Sequence, residues 1–258
     1  MTARVIVHAD DFGLHPAINA GIEAAHRGGL VSSTSLMPTG PAFADALRRL
    51  KSLPNLDLGL HFALVGVPDM PPTLGAFLSA YARGHMSSQI VERHLADQYN
   101  ALNGLTISHI DSHQHLHALP GIMRVVCRFA ARNGIPAVRL PVDGPASAQV
   151  PAARRVQAAA LAAVARLSRP TIAAFGLRTS DHFSGMAVSG HLSGPILAAY
   201  LREARAGLTE IVCHPGSDNF ALSQVFDWGY DWQGEMAALC SPDARQALKT
   251  GSLVTSWK

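Results

Sequence analysis

The chain has 258 residues, of which 48% are hydrophobic and only 15% charged, enough apolar chain for one large core of the size reached by single α/β barrels. Its net charge of +3 is scattered, with no run of Lys or Arg and no interleaving of basic with aromatic residues; this argues against a nucleic-acid partner, although the sign is compatible with weak attraction to an anionic membrane surface. Three widely spaced cysteines, Cys127, Cys213 and Cys240, with no CxxC, exclude a disulfide framework and a cysteine-based zinc site and point to a reducing compartment.

Met1 to Arg4 runs straight into Val5-Ile6-Val7, with carboxylates by residue 10. That is not the order of a secretory signal, so a cytoplasmic location is expected. Val5 to Val7 is the β-branched run of a buried parallel strand, ending in His8-Ala9-Asp10-Asp11-Phe12-Gly13. Polar residues just past the carboxyl end of a buried strand are where α/β enzymes place their chemistry. Pro16 opens a helix over 17–27 that Gly28-Gly29 closes. Residues 30–37 read as a second strand and 43–53 as a helix ending near Pro54. Residues 56–64, LDLGLHFAL, read as a third strand with His61 near its end. Residues 65–84 hold Gly66, Pro68, Pro71, Pro72 and Gly75, then Phe77, Leu78 and Tyr81. This predicts a proline-rich loop leading into a short apolar helix, either a lid over the open face or a loop packed on the body.

Ser87-Ser88 caps a helix from Gln89 to about Leu102. Thr106 to Asp111 is the next strand, and it runs into HIDSHQHLH. There His109, Asp111, His113, His115 and His117 alternate with Ile110, Ser112, Gln114 and Leu116. In an extended chain the five would line one face. Such a set suits a shared metal, a substrate or a proton relay. Residues 120–133 form a helix ended by Gly134, and 137–140 a short strand carrying Arg139. Residues 156–167 form an apolar helix. The window to Gly176 is broken by Arg166, Arg169 and Pro170, so it does not span a bilayer. Residues 171–175 and 181–183 suggest no definite element. An amphipathic helix over 196–205 follows, then the strand TEIVC, 209–213, ending in His214-Pro215-Gly216. A last helix covers 243–248 and a terminal strand 252–257.

The alternation of strands and helices implies a parallel sheet with helical crossovers. Without a dinucleotide glycine fingerprint, a closed or distorted (β/α) barrel is expected over a doubly wound sheet. In a barrel Asp10-Asp11, His61, the 109–117 cluster, Arg139 and His214 converge on one mouth. Two histidines and a carboxylate are a common ligand set for a catalytic divalent ion. Zinc suits imidazole best, with Mg²⁺, Mn²⁺ or Co²⁺ as alternatives. Of two adjacent aspartates, one can bind the metal while the other stays free as a base. Taken singly, His61 could be a hydrogen-bonded core residue and His214 a turn residue. His8, His15, His26, His85 and His94 read as surface or supporting groups, and His182 and His191 are unplaced.

HADDFG, GLHFAL and HIDSHQHLH, in this order across about residues 5–120, with a later CHP at 213–215, resemble the YdjC-like carbohydrate deacetylases. That family is related to the polysaccharide deacetylases and includes chitooligosaccharide deacetylases. VRLPV (138–142), SGHLS (189–193) and TEIVCHPG (209–216) are most similar to its hopanoid-biosynthesis-associated branch, HpnK. The resemblance implies a single-domain distorted (β/α) barrel over residues 1–258, on which 65–84 would be either the lid insertion or the loop packed on the body. It implies one divalent ion held by Asp11, His61 and His113, with Asp10 as base, Arg139 paired to it and His214 as acid. Asp111, His115 and His117 become supporting or substrate-facing groups. The implied reaction is metal-assisted hydrolysis of an N-acetyl sugar to acetate and a free amine. The substrate would be a soluble chitooligosaccharide or, on the second resemblance, the amino-sugar head of a hopanoid glycolipid met at the inner membrane surface. Two other classes stay open. One is a different metal hydrolase on the same barrel, which the lack of a lysine near these motifs disfavours. The other is a non-catalytic metal- or sugar-binding protein. A homo-oligomer is compatible with the sequence.

Overall fold

A computed structural model describes residues 3–144, 150–248, 251–253 and 257. Its first strand, β1 (Ala3–Phe12), outruns the apolar Val5-Ile6-Val7 core and carries His8 to Asp11 within the sheet. The chain then alternates: α1 (Pro16–Gly28), β2 (Ser33–Leu36), α2 (Phe43–Leu50), β3 (Asp57–Phe62), α3 (Leu74–Ala82), α4 (Ser88–Asn100), β4 (His109–Ser112), α5 (Pro120–Arg132) and β5 (Ala137–Val138). It continues through α6 (Ala152–Arg166), α7 (Arg169–Ala174), β6 (His182–Ser184), α8 (Gly194–Arg202), β7 (Gly207–Cys213), α9 (Asn219–Ser223), α10 (Trp232–Cys240), α11 (Pro242–Ala247) and β8 (Gly251–Leu253). Thr73 and Ser87 start α3 and α4 by accepting the N–H groups of Ala76 and Ile90, each satisfying a donor with no partner inside its helix.

All strand pairs are parallel, in the order β5-β4-β3-β2-β1-β7-β6, with β8 paired to the first residues of β1. The two ends of that order meet through single bridges, Asp143 to Phe183 and Ala137 to Arg178. The sheet therefore curls into the distorted barrel expected from the alternation, with its weakest seam at the two-residue β5. Outward-facing strand residues such as Val7, Leu60, Ile110 and Ile211 join the apolar layer under the helices. The inward-facing apolar residues Ile6, Ala137 and Leu208 pack with Trp257 at the floor. Above that floor His8, Asp10, His61, His109, Asp111, Arg139 and Glu210 are all buried.

Residues 171–174 prove helical and 182–184 form the barrel's seventh-placed strand, two segments whose short length gave too few periods to read. Of the expected strand at 252–257, β8 covers only Gly251–Leu253, residues 254–256 lie outside the described ones, and Trp257 is buried under His109. α1 rests directly on the turn after β7: a Cβ on Gly21 would lie 2.4 Å from the Gly216 Cα. That close approach sets the height of His214 at the rim.

Candidate active site

The two adjacent aspartates face inward because β1 breaks its regular form at its end. The register against β2 slips between Ala9 and Phe12, and Asp11 takes a φ of 70°. Consecutive residues of a regular strand would point to opposite faces. Asp11 Oδ1 is met by His61 Nε2 at 3.2 Å and by His113 Nδ1 at 3.0 Å. His61 comes from β3 and His113 from the first position past β4. The three donor atoms lie within 4.8 Å of one another. On its other side, His61 Nδ1–H donates to Asp111 Oδ1 at 2.9 Å, which leaves Nε2 as the ligand-type nitrogen. Burial pushes the His61 imidazole down, but the carboxylates of Asp111, Asp10 and Asp11 together raise it to about 10. Against burial, His113 and His61 hold Asp11 well below the usual carboxylate range. Two imidazoles and a carboxylate so arranged fit a divalent cation.

Asp111 also clusters with His8 and His109, and with Asp10 and His61. Neither set fits a second cation. Arg139 Nη2 already donates to Asp10 Oδ1 at 2.8 Å and is ion-paired with Asp111 Oδ2 at 2.8 Å. His109 Nε2 is packed on Gly59, where a Cβ would sit only 2.2 Å away.

Arg139, with no exposed surface, crosses the barrel interior. Its fork meets Asp10 with two bonds, Nη1 to Oδ2 at 3.0 Å and Nη2 to Oδ1 at 2.8 Å, and its Nε donates to Glu210 Oε1 at 2.7 Å. Burial raises the Asp10 carboxyl, and Arg139, followed by His61 and His8, outweighs it and holds the group at about 2. The Glu210 carboxyl is raised by burial, with Arg139 opposing.

The alternating cluster does not line one face. β4 ends at Ser112, and residues 113–118 form a 3-10 turn with Gln114 and His115 left-handed, at φ 56° and 54°. Ser112 Oγ draws the chain back by accepting the His117 N–H at 3.0 Å and bonding its Nδ1 at 2.6 Å. His117 Nε2–H donates to the Arg139 carbonyl at 3.0 Å, and burial presses this imidazole to about 4. His117 thus braces the arginine's backbone. His115 forms a wall edge-on to Phe183, and His109 lies deep, against Trp257 and His8. Only His113 joins Asp11 and His61. His8 is also not a surface group: its Nε2 lies 3.3 Å from Asp10 Oδ1 and 3.2 Å from Asp111 Oδ2.

At the rim His214 Nε2 stands 3.9 Å from Asp10 Oδ2, and the His214 backbone N–H donates to buried Glu235 Oε2 at 2.5 Å. Asp10, Asp11, His61, His113 and His214 open onto a cavity of about 360 Å³. Trp228 and Tyr230 wall it on one side, Leu74 and Met186 also line it, and Arg154 and Gln157 stand at its edge.

The model of the family described as "YdjC-like protein" matches residues 4–250. The chain belongs to the YdjC-like family. It is 33% identical to a chitooligosaccharide deacetylase of Enterobacter sp. (strain 638), an alignment covering 96% of this chain and 95% of that one. It is 29% identical to a carbohydrate deacetylase of Vibrio cholerae, over 95% of this chain and 91% of that one. A crystal structure described as a "putative cellobiose-phosphate cleavage protein" from Enterococcus faecalis superimposes with a TM-score of 0.76 at 23% identity, covering 98% and 97% of the two chains; this likeness speaks for the fold.

Several residues around the cavity of this YdjC-like chain were not read from its sequence. Glu210 is hidden in TEIVC, which reads as an apolar strand. Trp228, Tyr230 and Glu235 fall in a stretch to which no element was assigned. A signal was there: Phe226, Trp228, Tyr230 and Trp232 alternate with Asp and Gly, and each ring packs on the next, the first pair stacked and the others edge-on or tilted, with centroids 4.6, 5.5 and 5.6 Å apart. The ladder reaches the triad where Trp228 tilts over His113 at 5.8 Å.

Proposed function

We propose that this YdjC-like protein is a metal-dependent N-deacetylase that hydrolyses the acetamide of an N-acetylated amino sugar and releases acetate. The observation that carries this reading is the division between neighbouring aspartates: Asp11 is shared with two imidazoles, Asp10 with a buried guanidinium. The deacetylase names of full-length relatives support the substrate class. Asp11, His61 and His113 would hold one divalent ion, zinc being favoured by the imidazoles, with Mg²⁺ or another divalent ion as the alternative. When bound, such an ion supplies a water of lowered pKa and a polarised acyl oxygen. Asp10, kept ionised by Arg139, takes the proton of the attacking water at Oδ2, the oxygen nearer His214. His214 gives a proton to the departing nitrogen, which cannot leave as an amide anion. Asp111 fixes the His61 tautomer. Trp228 and Tyr230 offer flat apolar faces to a sugar ring, with His115 beside it. Residues 65–84, which bring Leu74 to the cavity, serve as its lid.

Acetate release from N-acetylglucosamine oligosaccharides, measured with and without a chelator, tests this. Acetate should form in step with new primary amine, stop on chelation and return with added zinc. Metal-loaded protein that releases no acetate from soluble or lipid-linked acetylated sugars would instead be a binding protein.

One observation favours a lipid-linked substrate such as the hopanoid glycolipid of the second resemblance. Among the described residues the exposed large apolar side chains are Leu74, Leu78, Val156, Leu167, Phe220 and Val225. Leu74 lines the cavity and Leu78 shares its helix, and Phe220 and Val225 lie in the stretch between His214 and Trp228, both of which line the cavity. No helix among the described residues is long and apolar enough to cross a membrane, so the contact would be peripheral. An acetylated glycolipid in vesicles should be turned over faster than soluble diacetylchitobiose. The double variant Phe220→Ser/Val225→Ser should lose about tenfold on the vesicle substrate, roughly 1.4 kcal/mol of surface affinity, and nothing on the soluble one. Wild-type preference for the soluble sugar sinks the lipid reading.

A further inference from the structure

One imidazole inside the barrel has no task in this mechanism. His8 is wholly buried on β1, paired at its own level with Ser33 of β2 and Val212 of β7. Its Nδ1 lies 3.1 Å from Ser33 Oγ. Its Nε2 lies 3.3 Å from Asp10 Oδ1, 3.2 Å from Asp111 Oδ2 and 3.2 Å from Ser35 Oγ, whose hydroxyl donates to the same Asp111 oxygen. Arg139 Nη2 reaches the same two carboxylate oxygens. Ionised carboxylate oxygens only accept, so the nitrogen facing both must carry its hydrogen. Asp10 Oδ1 thus accepts from Arg139 Nη2 and has the His8 N–H beside it. Oδ2, with Arg139 Nη1 as its partner, is the oxygen left to face the cavity and His214.

The two donors differ in their mechanical footing. Arg139 projects from just past the two-residue β5, beside the seam closed by single bridges. His8 stands on a strand bonded on both sides and shares that strand with Asp10 itself. Asp111, the other oxygen it meets, is the group that orients His61.

We propose that His8 is a positioning residue: its Nε2–H locks the Asp10 carboxylate with Oδ2 toward the reacting water and ties that base to Asp111. The inference rests on Asp10 being the base, and its test keeps the two questions apart. His8→Phe retains a ring without a donor. His8→Gln places an amide N–H near the Nε2 position. For His8→Phe, melting temperature near wild type, unchanged metal content per chain, KM within about twofold and kcat lowered about a hundredfold are expected, the scale of an ångström-level misplacement. His8→Gln should recover kcat to within about fivefold of wild type. A His8→Phe kcat within twofold of wild type overturns the proposal. So does His8→Gln as damaged as His8→Phe, or a loss that tracks lost metal. If His8→Phe does not fold, His8→Asn replaces it, since its amide ends at the Nδ1 position and reaches Ser33 but not the carboxylates. Failure of both to fold would make His8 structural and also overturns the proposal. Asp10→Asn measured alongside separates the readings. If it retains turnover, the base assignment falls; if it is inactive while His8→Phe is normal, only the role of His8 falls.

Discussion

Asp10→Asn should keep its metal and lose about 10³- to 10⁴-fold in turnover, the upper range for removing a general base. The substitution nearly preserves shape, but not hydrogen-bond character. Asp10 meets only donors: both terminal nitrogens of Arg139, and His8 Nε2. An amide has one accepting oxygen, so its NH₂ must face a donor whichever way it turns. A stability loss of about 1–3 kcal/mol therefore accompanies the catalytic one. Acetate release, metal content and a urea melt on the same preparation separate the two effects. Near-normal turnover would remove Asp10 from the mechanism.

The largest effect on stability is expected from Arg139→Met. Methionine fills much of the volume but leaves Asp10, Asp111 and Glu210 facing one another inside the barrel without their shared guanidinium. Leaving buried charge uncompensated costs about 3–5 kcal/mol, so the variant should unfold at markedly lower urea and show no activity. The sign of its pH dependence is distinctive. Carboxylates deprived of the cation bind protons more readily when folded than when unfolded. The deficit relative to wild type should therefore shrink between pH 7 and pH 5. Urea titrations at both pH values check this. A deficit under about 1 kcal/mol, or one that grows on acidification, contradicts the placement of Arg139 as the counter-ion of three acids.

The parts of the site that were legible in the sequence share one property: they stand at strand ends. Asp10, Asp11, His61, Arg139 and His214 each close an apolar run, and a parallel barrel brings such ends to one mouth. Residues further down the strands were not legible. His8 and Glu210 sit at inward positions where a barrel core would ordinarily be apolar, and sequence parity alone does not reveal that this interior is polar. Alternation misled in the histidine cluster because it presumes an extended chain. The Ser112 hydroxyl turns the chain into a 3-10 coil, so His113, His115 and His117 part to triad, wall and brace while His109 and Asp111 stay on the inner face of β4. The first two helices after β7, α9 and α10, escaped notice for a different reason. α9 has five residues, and the aromatic ladder leading to α10 has the period of a strand without being one.

The central place of β1 has a consequence for how the chain reaches its native state. The strand that carries Asp10 and Asp11 is synthesised well before its partner on one side, β7, which lies about two hundred residues later. Until β7 emerges, one edge of β1 has no native neighbour, and its Val5-Ile6-Val7 run offers open backbone to any other extended chain. Pairing across such a separation closes a very long loop, which makes its formation a late and slow event. Only then can Glu210 reach Arg139 and His214 reach Asp10. Incomplete chains that lack β7 should therefore be the aggregation-prone species, held in solution by chaperones until the barrel can close.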